Sequence, residues 1–191
     1  MIKLPAIWTE PVQQHNFRVL LQAMARPGKV QPLQLQLQQE QKQAAGEQAL
    51  LAVLATLVDG EVALADPQTM IKSSSWPLLQ AHQAEPGHAD FIVCHGGQQP
   101  EVEPRLGSLS NPEQSATLIL QVGSLSSGEC EFALSGPGVD GKIQCAVDKL
   151  HLDWLRRRQQ WVANFPMGVD WLLVSDDSVM AIPRSSQLEM C

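Results

Sequence analysis

The chain has 191 residues, the length of one domain with a layered core. Hydrophobic residues make up 44% and charged residues 17%, ordinary globular usage that excludes a disordered chain. A formal net charge of −7 argues against nucleic acid and anionic membrane as partners, although a few arginines and backbone N–H groups suffice for a local anion site. No stretch approaches the ~20 apolar residues that span a bilayer. The N-terminal MIKLPAIWTEPVQQ lacks the apolar core and small-residue cleavage pattern of a signal peptide, so the expected location is cytoplasmic. Cys94, Cys130, Cys145 and Cys191 are irregularly spaced and form no CxxC pair, and three of them lie in apolar runs that suit buried, inert thiols. The histidines show no HExxH and no second ligand cluster, so no metal site is expected.

Residues 10–25 carry Phe17, Leu20, Leu21 and Met24 at helical spacing, and Arg26-Pro27-Gly28 ends the helix. Arg18 lies at the edge of that apolar stripe, open to solvent or to an acidic partner. In the glutamine-rich stretch 31–47, Leu33, Leu35 and Leu37 alternate with Gln34, Gln36 and Gln38, the period of a strand with one polar face; a loop follows Gln39. The run Ala49 to Val58 is apolar nearly all round and predicts a buried helix from about Ala45. A short strand follows at 61–65. Asp66-Pro67 then reads as a cap and first turn of a helix running to Ser74 or beyond, with Pro77 against the longer form.

Residues 89–94 predict a strand, 98–105 a loop, and 106–111 a short helical turn. ATLILQV at 116–122 is the strongest strand pattern in the chain, and 129–135 and 142–147 predict two more. Residues 148–163 have Leu150, Trp154, Leu155 and Trp161 at helical spacing, with Asp148 as the candidate cap and Arg156-Arg157-Arg158 read as a solvated helix end in preference to a phosphate clamp. Between the strands at 129–135 and 142–147 lies Gly136-Pro137-Gly138-Val139-Asp140-Gly141, a literal GxGxxG. A dinucleotide loop must open a helix, whereas this one is followed by a strand pattern, so the glycines read as a tight turn needing positive φ.

Phe165-Pro166-Met167-Gly168 is a turn. It leads into a hairpin of strands at 169–174 and 179–182 around Ser175-Asp176-Asp177-Ser178, ended by Pro183. Leu172-Leu173-Val174 suits a strand covered on both faces. Asp170 and Arg184 flank this hairpin, either as an ion pair trimming its ends or as groups held there for a ligand. The pattern as a whole is a single α/β domain over residues 1–191 with a mixed sheet. It contains no GxSxG, no partnered serine nucleophile, and no lysine in a context that invites a Schiff base except Lys142, which opens a strand after a glycine loop.

Several ordered blocks carry a family resemblance. They are His15-Asn16-Phe17-Arg18 with Leu21, Ala23-Met24 and Pro27-Gly28; Asn111-Pro112-Glu113 running into Ala116-Thr117-Leu118-Ile119; Leu134-Ser135-Gly136-Pro137-Gly138; Phe165-Pro166-Met167-Gly168-Val169-Asp170; and Ala181-Ile182-Pro183-Arg184-Ser185. In this order and spacing the chain resembles the PhnH family, small subunits of the bacterial carbon–phosphorus lyase complex. Ser185-Ser186 stands where Thr-Thr is expected, and the hydroxyls are kept.

The resemblance implies a three-layer α/β/α sandwich like the large domain of pyridoxal-phosphate-dependent transferases, without the cofactor, and a homodimer when isolated. It implies an accessory subunit acting with the other carbon–phosphorus lyase subunits to form α-D-ribose 1-phosphonate 5-triphosphate from a nucleoside triphosphate and a phosphonate. The alternative is an independent pyridoxal-phosphate enzyme. No catalytic residue is assigned. The candidate ligand-binding residues, chosen for turn geometry and charge, are Arg184, Asp170, Gly136, Gly138 and Arg18.

Overall fold

The computed structural model describes residues 6–35 and 45–191. A seven-stranded mixed sheet forms the centre. Its parallel part comprises β2 (Ala63–Ala65), β3 (His82–Gln83), β4 (Phe91–His95), β5 (Thr117–Gln121) and β8 (Asp170–Val174). It is extended antiparallel by β9 (Ser178–Ile182), which in turn pairs with β1 (Gln31–Pro32). The strand order is β1-β9-β8-β5-β4-β2-β3. A separate antiparallel sheet places β6 (Cys130–Ser135) between β7 (Lys142–Val147) and β10 (Gln187–Met190).

Alternation along the central strands assigns each side chain to one of two cores. In register, Ile92, Leu118, Trp171 and Ile182 face one side, and Val93, Ile119, Leu172 and Ala181 face the other. The second set packs under α1 (Glu10–Ala25) and α2 (Ala45–Leu57) through Leu20, Ala23, Ala49, Leu50 and Val53. The first set meets the three-stranded sheet through Phe132, Leu134 and Val147. It also meets α4 (Leu152–Trp161) through Trp154, Leu155 and Trp161. Helices therefore cover one face, while a small sheet and a single helix cover the other. Because both faces are covered, β5 and β8 read as continuous apolar runs.

Several local expectations change on folding. The helix expected after Asp66 does not form. The Asp66 carboxylate accepts from the N–H of Met70 and of Ile71, both at 2.8 Å, and so offers the backbone an alternative to helical bonding. A helix appears there only as the four-residue α3 (Trp76–Leu79). Residues 106–111 form no helical turn; Leu106 bridges Ser115 instead, and a 3-10 turn spans Pro112–Gln114. The α4 cap is His151, whose Nδ1 accepts from Asp153 N–H at 3.2 Å, three residues beyond the expected Asp148.

Helix α1 forms where expected, but its buried stripe is Val12, Asn16, Leu20 and Ala23, leaving Phe17 and Leu21 about half exposed. In the glutamine-rich stretch Leu33 and Leu35 are buried with Gln34 between them, although the ladder itself spans only Gln31–Pro32; Leu37 lies outside the described residues. Among the described residues no helix is long and apolar enough to cross a membrane.

Candidate functional site

The β8–β9 hairpin brings Asp170 and Arg184 together at its open end. The register Trp171 opposite Ile182 leaves one residue beyond the ladder on β8 and two beyond it after β9. Pro183 ends β9 because it cannot donate to the ladder, so Arg184 turns back toward β8. Asp170 Oδ1 accepts from the Arg184 backbone N–H at 2.7 Å. Its carboxylate also accepts from Arg184 Nε at 3.1 Å and from Nη2 at 2.5 Å. Arg184 Nη1 donates to Pro112 O at 2.6 Å, tying in the turn before β5. The side chains are 18% and 14% exposed, so this is a part-buried bidentate pair and not a surface trim.

The glycine turn lies against the same segment. Gly136, Gly138 and Gly141 all have positive φ, and the turn joins β6 to β7, as expected of a turn and not of a dinucleotide loop. A Cβ on Gly136 would stand 3.1 Å from Ser185 O. Gly138 instead abuts Ala25 O and Pro27 at the end of α1. Pro137, Arg184 and Ser185 line one open cleft of about 540 Å³, completed by Gln159, Val162 and Phe165. Arg18 is exposed and forms no ion pair among the described residues. Of the five candidate residues the structure thus gathers Arg184, Asp170 and Gly136, with Gly138 two residues further on against the end of α1 and Arg18 on the outer surface of α1.

Sequence reasoning missed Arg158. Arg156 and Arg157 behave as a solvated helix end, paired with Asp153 and Glu103 respectively. Arg158 does not: it is 1% exposed. Its guanidinium lies 5.7 Å from the Trp171 ring centroid, and Nη2 donates to Pro183 O at 2.6 Å. The signal was present in the spacing, because 158 is four residues after Trp154 and three before Trp161, on the buried stripe of α4.

Lys142, the lysine singled out for Schiff-base chemistry, is about half exposed and pairs with Glu189 across the small sheet at 2.5 Å. A Schiff-base lysine is activated by desolvation or by a neighbouring cation, and Lys142 has instead an exposed carboxylate partner. Burial pushes the Cys94 thiol up to about 12, with Asp66 adding to it, and the Cys145 thiol to about 11. These are inert core groups. A larger hollow of about 790 Å³ opens at the carboxyl ends of β4 and β5, where His95 and Lys149 stand with Asp148 and Asp176. Among the described residues no group of three or more His, Cys, Asp or Glu side chains is placed to hold a metal ion.

The profile of a family described as "Bacterial phosphonate metabolism protein (PhnH)" matches residues 7–189. The chain belongs to the PhnH family. Within that family it is 38% identical over 184 residues to a "Putative C-P lyase subunit protein HtxG" of Stutzerimonas stutzeri, covering 96% of this chain and 89% of the relative. It is also 30% identical over 193 residues to the "Alpha-D-ribose 1-methylphosphonate 5-triphosphate synthase subunit PhnH" of Rhizobium meliloti (strain 1021), covering 92% and 90%. The matched span contains the whole β8–β9 hairpin, Arg158 and the glycine turn of this PhnH-family chain. The matched span therefore takes in both cores and the residues lining the cleft.

Proposed function

We propose that this chain is an accessory subunit of a carbon–phosphorus lyase assembly. With its partner subunits it would serve the step that joins a phosphonate to the ribose of a nucleoside triphosphate, giving α-D-ribose 1-phosphonate 5-triphosphate as the base leaves. The observation that carries this reading is the family match over residues 7–189, with the relative named as a synthase subunit covered along 90% of its length. Lys142, half exposed and paired with Glu189, is poorly suited to a Schiff base, which favours an accessory role over an independent pyridoxal-phosphate enzyme. On this reading residues 1–191 act as one cytoplasmic domain, homodimeric when isolated and free of cofactor, whose central sheet serves as a rigid platform of the kind found in the large domain of pyridoxal-phosphate-dependent transferases.

Arg184 would meet a phosphorylated ligand in the cleft beside Gly136, with Asp170 holding its guanidinium plane; Gly138, against the end of α1, and Arg18, on the outer surface of that helix, stand outside the cleft lining. Each Nη of Arg184 keeps one N–H beyond those engaged with Asp170 and Pro112, which supports this role. The test is native mass spectrometry of tagged protein recovered from cells expressing the complete phosphonate operon. Recovery of a stoichiometric assembly with the other lyase subunits is the expected result. A lone homodimer under those conditions would overturn the reading.

A further inference from the structure

Helix α1 keeps two large apolar side chains outside the core. Phe17 and Leu21, one turn apart, are 47% and 53% exposed, beside a stripe whose members are buried. They form the rim of a groove of about 220 Å³ between α1 and the end of α2. Leu20 and Leu172 are its buried floor, and Leu57 and Phe91 stand half-buried on the far side. Thr117 is the one polar residue in the lining. A single hydroxyl gives little to orient a polar metabolite, and the volume falls below the roughly 300–1,000 Å³ of small-molecule sites. The occupant it suits is apolar protein surface.

The flanks carry charges of opposite sign. Arg18 follows Phe17 on the outer side of α1, and Asp59 and Glu61 lie just beyond Leu57. All three are exposed, and none forms an ion pair among the described residues. A second copy of this chain would set hollow against hollow and leave both unfilled, whereas an interface core packs as closely as a protein interior. A ridge is needed. A helix with apolar residues at i, i+3 or i+4, and i+7 supplies one.

We propose that the α1–α2 groove seats an amphipathic helix of another subunit of the assembly. Its apolar ridge lies between Phe17 and Leu21 on one side and Leu57 and Phe91 on the other. Acidic side chains on one flank of that helix face Arg18, and basic ones on the other flank face Asp59 and Glu61. The proposal rests on the accessory-subunit reading and adds the surface and the kind of element that meets it. The groove opens on the face covered by α1 and α2, while α4, which lines the cleft beside Arg184, covers the opposite face. An occupied groove therefore leaves that cleft open.

The experiment recovers tagged full-length protein from cells expressing the complete phosphonate operon, with benzoylphenylalanine in place of Leu21 as a photo-cross-linker. The cross-link should map to a helical segment of another lyase subunit with acidic and basic flanks. Phe17→Glu and Leu21→Glu should each reduce the recovered assembly by about tenfold or more. Leu109→Glu, the same kind of change at a leucine 72% exposed outside the groove, should leave it at the wild-type level. Arg18→Glu should weaken assembly, and reversing the charge of the partner acid mapped opposite it should restore it. Melting temperatures of the isolated variants should match the wild type, which separates lost docking from a lost fold. If Leu21→Glu melts lower, Arg18→Glu and the cross-link carry the decision. Full assembly of the Phe17→Glu/Leu21→Glu double variant, equal losses in Leu109→Glu, or a cross-link to this chain or to a second copy would overturn the proposal while leaving the accessory-subunit reading in place. Failure of the wild-type chain to assemble would sink both.

Discussion

Asp170 and Arg184 close the open end of the β8–β9 hairpin as a single unit: one carboxylate receives the backbone N–H, Nε and Nη2 of one arginine. The same arginine reaches Pro112 O, so the pair ties the β8–β9 hairpin to the turn that precedes β5. At 18% and 14% exposure the pair is largely desolvated, and removing one member leaves the other charge stranded. Asp170→Ala should destabilise the fold by about 3 kcal/mol, more than Arg184→Ala, because it strands both Arg184 and Arg158. Urea unfolding of the two single variants and the double variant measures the coupling. Additive losses would show that the pair is not a unit.

The glycine turn offers a paired test. Gly138 has φ +82°, and a Cβ there would stand 2.4 Å from Ala25 O, whereas Gly141 has φ +68° with nothing within 4 Å. Gly141→Ala should cost about 1 kcal/mol, from backbone strain alone. Gly138→Ala should cost clearly more, because backbone at the end of α1 must also shift. Equal losses by urea denaturation would show that only φ matters in this turn.

Asn16 is fully buried on α1 and holds both backbone groups of Gln34, accepting from its N–H at 2.8 Å and donating to its C=O at 3.1 Å. Asn16→Ala leaves both groups unpaired and should destabilise by about 2–3 kcal/mol. Asn16→Asp buries a carboxylate against the Gln34 carbonyl, so a loss at least as large as that of Asn16→Ala is expected in the same assay at neutral pH.

Alkaline pH should weaken the fold through its thiols. Cys94 and Cys145 are raised from 9.0 to about 12 and about 11, and Cys130 is raised as well, so the folded state keeps protons that the unfolded state releases. Their stabilisation is complete below pH 9 and is lost as pH rises toward the folded values, with a slope of up to about 1.4 kcal/mol per pH unit for each thiol. Arg158 works in the opposite sense above about 10, where its lowered pKa lets the folded state shed a proton before the unfolded one. The window from pH 9 to 10 therefore isolates the thiols, and the chain has no tyrosine to obscure it. Denaturant titrations in that window should show falling stability, with the slope reduced in Cys94→Ala. At neutral pH a thiol reagent should label Cys191 rapidly and the three buried thiols only on unfolding.

Much of the fold was legible before folding. β4, β5, β6, β7, β8 and β9 announce themselves through apolar runs bounded by turn residues, α1 and α4 through helical spacing, and α2 through a run apolar nearly all round. The Asp170–Arg184 pair was legible too, because a hairpin's two ends must meet. β10 was not: in QLEM only Leu188 is buried, so no alternation shows, and the strand exists because β6 supplies its ladder partner. The helix expected after Asp66 failed because a side-chain carboxylate competes locally for the same N–H groups.

The residue sequence by itself determined the α/β class, the positive-φ turn after β6, the inert cysteines and the family blocks. Each of these depends on residue type and on neighbours a few positions away. Tertiary structure alone decided that Arg158 is buried while Arg156 and Arg157 are not, that α1 turns Phe17 outward and Asn16 inward, and that a second small sheet covers one face. Burial depends on what lies opposite, and contacts such as Arg158 with Trp171, or Asn16 with Gln34, come into being only when distant segments pack.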